Sequence, residues 1–545
     1  MRPGASEGRS QHKAMALGGT VISATFTVPQ LLQYREGSEW ELNHRDGHSA
    51  HMDALCYLSS EASPWNHTVI GWTGEIGRVS DDASLALTPR RASISAATLP
   101  SWKEFGLQEA EVIVEDISLT NSSREKLEEL LYNDYITTIP VWLAGEGETV
   151  QGGRIVLHQQ SRWRRYAEHD ICALFHYKQH PPTDGPKADA RWKDYYRMNE
   201  AFADKVSQVY KAGDVIMVHD YYLMLLPEML RQRHPNIHIL FFLESPFPSS
   251  ELMRCLHRRE ELLRGVLEAD LICFQTFHYA QHFASSCSRI LGYLANNEWV
   301  ESPRRRVGIG LFPAGINVSN LLSRAFNDAV EDKVTQLAKL HKGYKIIVGC
   351  DLLDRLGGVD KKLQAFQCFL ERYPKWRDNV VLIQIMGPVT IEDDGGDNAT
   401  YTRKVNELAG TINQTYGSLG FNPVQIHSQQ LSQDEYLAVL RLGDVALNTC
   451  VREGLSTTSM EYVACQRNRE GVLIISEFSG TASNMPDAIK VNPWDSTQVA
   501  DQIYNALTMG RTQRKRVHKG LYDYITSGNV EHYVSSMLQS LVQIL

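Results

Sequence analysis

The sequence predicts an α/β protein with two Rossmann-like domains facing a central cleft. Three observations predict it. Its 545 residues exceed what one core needs, since domains run to about 100–200 residues each. Short β-branched runs alternate with amphipathic stretches, the pattern of parallel sheets whose crossovers are helices. The alternation restarts after Pro313-Ala-Gly-Ile, well inside the chain.

In chain order, residues 1–18 are polar and rich in Gly and Ser, and read as a disordered tail. They lack the apolar core of a signal peptide, and no later stretch approaches the roughly 18 apolar residues of a membrane span. The first domain, 19–318, is expected to take its strands from TVISATFTV (20–28), DVIMVHD (214–220), IHILFFL (237–243) and LICFQ (271–275). YLMLLPEMLRQRH and HYAQHFASSCSRIL follow two of them with apolar residues three and four apart, as in helices. The second domain, 319–511, offers KIIVG (345–349), NVVLIQI (379–385), PVQIH (423–427), DVALNT (444–449) and VLIIS (472–476). FPAGINVSN carries turn chemistry at the join. The helical stretch 512–545 is followed by no strand and is expected to cross back to the first domain. Two such sheets place a ligand cleft between the carboxyl ends of their strands.

Lys plus Arg number 55 and Asp plus Glu 64, a net charge of 55 − 64 = −9, which gives no electrostatic reason to expect nucleic acid or an anionic membrane as partner. The nine cysteines are scattered without the spacing of a disulfide framework or a zinc site. The nineteen histidines show no HExxH or other ligand spacing, so neither metal nor cofactor is expected. His219 reads as a satisfied histidine at the core edge, and the acidic loop IEDDGGDNAT as solvated surface. Without a signal-peptide core or a membrane span, a cytoplasmic location is expected.

Three segments are too specific for generic α/β sequence: VHDYYLMLLP (218–227), PFPSSELMRCLHRREELLRG (246–265) and VREGLSTTSMEYVACQ (451–466). With IGWTGE (70–75), LFHY (174–177), SEFSG (476–480) and VNPWD (491–495), they resemble the trehalose-6-phosphate synthases from about residue 20 to the C-terminus. The resemblance implies the GT-B fold. In active members it implies metal-free, retaining transfer of glucose from UDP-glucose to glucose 6-phosphate. Such a site must neutralise the departing diphosphate with protein cations and helix N-termini.

Position by position, those parts are missing here. GCDLLDRLGG (349–358) aligns with the family's Gly-Val-Asp-Arg-Leu-Asp-Tyr-Ile-Lys-Gly, so the diphosphate-binding Arg becomes Leu352 and the Lys becomes Gly357. FFLESPFPSSE places Glu244 at the family's His, so no catalytic residue is assigned. On the acceptor side, the Arg that grips the sugar phosphate is Thr27 and a Trp is Cys172. The family's glycine-rich loop is replaced by RDGHSAHMDAL. Remnants persist: Trp72, Trp163 and Asp220 for the acceptor, and Arg452, Gly454, Leu455, Ser456 and Glu461 for the nucleotide sugar. Asp220 and Glu461 are also readable as structural caps or pairs, with a weak nucleotide-sugar pocket the favoured reading.

The resemblance is nearest to the synthase-like domain of fungal regulatory subunits of the trehalose synthase complex. It implies a non-catalytic subunit partnered by the catalytic synthase and by trehalose-6-phosphate phosphatase, with weak UDP or UDP-glucose binding at most. An active but divergent glucosyltransferase is the alternative. The chain contains no Asp-x-Asp-x-Thr motif, so no phosphatase activity is expected in it.

Overall fold

The computed structural model describes residues 19–35, 39–44, 49–79, 112–113, 117–144, 149–150, 154–179, 185–387, 397–428 and 431–545. The expected tail, the start of the replaced glycine-rich loop (45–48) and most of the acidic loop (391–396) lie outside the described residues.

Two large sheets carry the fold. In the first, the spatial order is Leu294–Ala295, Trp299–Glu301, Arg306–Leu311, Leu271–Phe274, His238–Leu243, Val215–His219, Thr20–Thr27, Asn66–Trp72 and Thr138–Val141. The last seven are mutually parallel, and the first two form an antiparallel extension. Its central strands are near-continuous apolar runs because both faces are covered. Along Val215–His219 the side chains alternate, with Ile216 and Val218 in one apolar cluster and Val215 and Met217 in another on the opposite face. The second sheet runs Val424–His427, Val380–Gly387, Lys345–Leu352, Val445–Leu447, Val472–Ser476 and Ile489–Val491, all parallel. Every strand expected from an apolar run forms. Asn66–Trp72, Thr138–Val141, Arg306–Leu311 and Ile489–Val491 join them.

Between Gln30 and Leu157 lie two further small sheets that periodicity did not flag, closed over a separate cluster of Val28, Trp40, Ile117, Leu127 and Ile155. Their strands are only two to six residues long, too short to leave a periodic signature.

In each large sheet the chain order reverses at one place, between Thr20–Thr27 and Val215–His219 in the first and between Lys345–Leu352 and Val445–Leu447 in the second. Loops leaving the carboxyl ends of adjacent strands diverge there and open a crevice.

The stretch 512–545 is two helices with different neighbours. Arg511–Ser527 lies on helix Thr457–Cys465, where a ring nitrogen of His518 approaches the Val463 carbonyl at 3.0 Å. Val530–Ile544 lies on helix Ala50–Leu58 and on the first sheet. The chain passes between domains at Ala314–Asn317, held by the Asn317 amide donating to Asp53 Oδ2 (2.6 Å) and the Val530 amide to the Ile316 carbonyl (3.3 Å). No helix among the described residues is long and apolar enough to cross a membrane.

Asp53 is buried, so Asp53→Ala leaves the Asn317 amide without this acceptor, at a cost of about 1–3 kcal/mol. Thermal unfolding should shift down in Asp53→Ala and recover most of the way in Asp53→Asn, whose amide oxygen still accepts.

Candidate functional site

The acceptor-side positions follow from the first sheet. Thr27 ends its strand as a buried residue whose carbonyl receives the Thr25 hydroxyl at 2.8 Å. Trp72 is buried against Phe26, ring centroids 5.2 Å apart. Trp163 is also buried, with the Arg162 guanidinium 4.5 Å from its ring centroid. Cys172 closes a π-helical turn, Tyr166–Cys172, with its Sγ 3.5 Å from His176 Nδ1. Trp72, Trp163 and Cys172 are thus parts of the packed core.

Asp220 stands at the carboxyl end of Val215–His219, at the switch point. Its backbone has φ +63° and ψ −179°, a region that essentially only glycine occupies without strain of about 1–3 kcal/mol. Its Oδ2 receives the Ser245 hydroxyl at 3.4 Å, whereas buried Oδ1 has no hydrogen-bond partner. Burial, reinforced by the neighbouring Glu244 charge, pushes this carboxyl well above the usual range.

Glu244 leaves the adjacent strand, His238–Leu243. Its Oε1 lies 3.0 Å from His51 Nδ1, at the start of helix Ala50–Leu58, and 3.9 Å from His219 Nδ1. The two imidazoles meet edge to face at 4.5 Å. His219 differs from expectation: its ring is buried, yet neither nitrogen has a hydrogen-bond partner. Burial first, then His51 and His67, hold it well below the ordinary histidine pKa. His67 behind it is satisfied, with its nitrogens 2.7 Å from Ser59 Oγ and 2.9 Å from Ser23 Oγ.

Of the positions expected on the nucleotide side, Leu352 is half-buried at the end of its strand. The turn that follows is tight: the Gly357 amide donates to Asp354 Oδ1 (2.8 Å), and a Cβ at 357 would lie 2.7 Å from the Leu352 carbonyl oxygen. Nearby cations are engaged. Lys362 is fully buried in an ion pair with Asp351, which also accepts from Gln384 Nε2 at 2.9 Å. Arg452 reaches across to the first domain and stacks on Tyr177, 3.9 Å from the ring centroid.

Gly454 brings the two domains into direct contact, since a Cβ there would sit 2.5 Å from the Glu244 carbonyl oxygen and 3.1 Å from Pro246 Cδ. Leu455 packs against the apolar cluster shared by both domains. Ser456 caps helix Thr457–Cys465, its Oγ accepting from the Ser459 amide while its own amide donates to Thr481 Oγ1 (2.7 Å). Glu461 faces the core of the second domain, fully buried, and accepts from the Tyr436 hydroxyl at 2.6 Å.

The structure therefore brings Asp220, Glu244, Arg452 and Gly454 to one place, with Ser456 on the adjoining helix start. It sends Trp72, Trp163 and Glu461 into cores. Sequence reasoning missed His51, because three residues from distant elements carry no mutual spacing.

These residues sit in a chain that matches the glycosyltransferase family 20 model over residues 98–543. It is 34% identical over 539 residues to a Saccharomyces cerevisiae protein named trehalose-phosphatase, covering 96% of this chain and 58% of that one. The chain spans 58–62% of that protein and of two similarly named yeast relatives. Among solved structures, the N-terminal domain of Candida albicans trehalose-6-phosphate phosphatase superposes with TM-score 0.79 at 35% identity, covering 96% of this chain and 97% of that domain. A UDP-forming α,α-trehalose-phosphate synthase from Burkholderia vietnamiensis superposes at 0.73 with 22% identity, over 96% of this chain and 98% of its own. Its likeness carries the GT-B fold, the fold of this chain.

Glu453 offers a test of how the nucleotide-side loop is held. It accepts from Asn448 Nδ2 (3.2 Å) and Ser479 Oγ (3.1 Å), and burial pushes its carboxyl up to about 7. Because the folded value lies above the unfolded one, the stability it contributes is fully present below about pH 4.5 and is lost as pH rises through about 7. Glu453→Gln keeps both acceptor contacts without the charge. Its stability relative to wild type should rise by on the order of 1–3 kcal/mol between pH 4.5 and pH 8. Thermal scans at the two pH values check this, and an equal difference at both contradicts it.

Proposed function

Because this chain belongs to glycosyltransferase family 20, we propose that it is a trehalose-6-phosphate synthase-like domain that no longer transfers glucose and serves as a regulatory or structural subunit in trehalose biosynthesis. Its partners in this reading are a catalytic trehalose-6-phosphate synthase and a trehalose-6-phosphate phosphatase, in the cytoplasm. The name and 35% identity of the Candida albicans domain support such company.

The observation that carries the reading is the turn from Leu352 to Gly357. The family resemblance places an Arg and a Lys at these two positions, where they hold the leaving diphosphate. Here the first is an aliphatic side chain, and at the second the Leu352 carbonyl occupies the space a Cβ would need. Charge-assisted contacts contribute roughly 1.5–3 kcal/mol each, so losing two slows transfer by about 10² to 10⁴. Glu244 adds a carboxylate where the family presents a histidine to the transferring sugar, and an ionised carboxylate repels a diphosphate. Asp220 keeps a strained backbone and an unpartnered oxygen at the acceptor side, which favours residual sugar binding over an empty cleft.

Co-expression with the two catalytic partners tests the proposal. The chain should elute with them in size-exclusion chromatography at micromolar concentration and change their activity, while releasing no UDP by itself from UDP-glucose and glucose 6-phosphate. Free migration with unaltered partner activity removes the subunit role. UDP release by the isolated chain at a rate typical of active synthases makes it a divergent glucosyltransferase instead.

A further inference from the structure

One feature of the cleft is unaccounted for by a lost glucosyltransferase site. His51, His219 and Glu244 each offer a ligating atom, and these atoms all lie within 4.8 Å of one another. We propose that these three side chains form a binding site for one divalent transition-metal ion of the zinc class.

The distances suit such an ion. Metal–nitrogen and metal–oxygen bonds of about 2.0–2.2 Å in tetrahedral geometry separate neighbouring ligand atoms by about 3.4 Å. The observed separations from Glu244 Oε1, 3.0 Å to His51 Nδ1 and 3.9 Å to His219 Nδ1, bracket that value. The third pair, His51 and His219, lies within 4.8 Å, and binding would draw it in by side-chain rotation.

The state of His219 points the same way. A neutral imidazole has one donor and one acceptor nitrogen, and burying both without partners is costly. His219 is 2% exposed with neither nitrogen hydrogen-bonded. Coordination gives one of them a partner. His67, whose two nitrogens are already held by Ser59 and Ser23, is not a fourth ligand.

Charge balance is the third argument. Asp220, one of whose oxygens is also without a partner, stands beside Glu244, joined to it through Ser245. Among the described residues, no Lys or Arg lies within ion-pair distance of either carboxylate. A dication there would meet the Glu244 carboxylate with no Lys or Arg competing for it.

Two imidazoles and a carboxylate select zinc, cobalt or iron over magnesium and calcium, which prefer all-oxygen sites. Three protein ligands leave a coordination position open, as in catalytic rather than structural zinc sites. The ligands come from a helix start and two strand ends, rigid supports that hold their geometry.

The test is a Co²⁺ titration of the chelator-treated 545-residue chain, read by visible absorption. One equivalent should develop d–d bands, one equivalent of Zn²⁺ should abolish them, and Mg²⁺ should have no effect. Glu244→Gln keeps a hydrogen bond to His51 but removes the anionic ligand, and should weaken binding at least about 10-fold. Glu244→His supplies a third imidazole and should retain the ion with shifted bands. His219→Gln should also weaken binding, and the Glu244 pair decides the matter if that variant fails to fold. Absence of bands in the wild type overturns the proposal. So do identical bands in wild type and Glu244→Gln, which place the ion on other histidines or cysteines.

Discussion

Two parallel sheets meet carboxyl end to carboxyl end here because backbone touches backbone across the cleft. Gly454 of the second domain lies against the Glu244 carbonyl and Pro246 of the first, at a separation that no other residue permits. Arg452 on Tyr177 and the Tyr279 hydroxyl donating to the Glu453 carbonyl (3.3 Å) hold the same seam. The contact brings the two switch-point crevices together, and a continuous apolar cluster behind it joins Val348 and Ile383 of one sheet to Met217 and Phe242 of the other.

Around that seam, several side chains expected to face a nucleotide sugar, and the neighbouring Lys362, are engaged within the protein. Lys362 is spent on Asp351, the start of helix Thr457–Cys465 on Ser456, and Glu461 on Tyr436, whereas Arg452 lies on the Tyr177 ring with its buried Nε unpartnered. Removing a polar ligand from a buried site leaves its partners unmet unless they pair anew, so internal pairing is the stable outcome when binding is lost. His219 and Asp220, like Arg452, depart from this pattern and still carry buried unpartnered atoms.

The fold was legible because its central strands are buried on both faces and so read as unbroken apolar runs, as in IHILFFL and NVVLIQI. The small sheets between Gln30 and Leu157 were illegible, since strands of two to six residues leave no period to read. At Leu352, Gly357 and Glu244 the sequence itself shows the change of residue type on which the site expectation rests, because charge and chemistry are properties of sequence. It was illegible where meaning depends on neighbours. Nothing in the chain shows that Glu461 turns toward Tyr436, or that His51 lies beside Glu244 from 193 residues away. His219 looked satisfied by analogy with most buried histidines, and only the packing reveals otherwise.

Calorimetric titration of the isolated chain with UDP-glucose tests most directly whether the donor site has been dismantled. Leu352 and Gly357 in place of two cations, with Lys362 and the helix start paired internally, predict no saturation below millimolar nucleotide sugar, a binding free energy weaker than about −4 kcal/mol. Saturable binding at micromolar concentration would mean that the seam opens and the paired groups exchange partners for the diphosphate, contradicting the account.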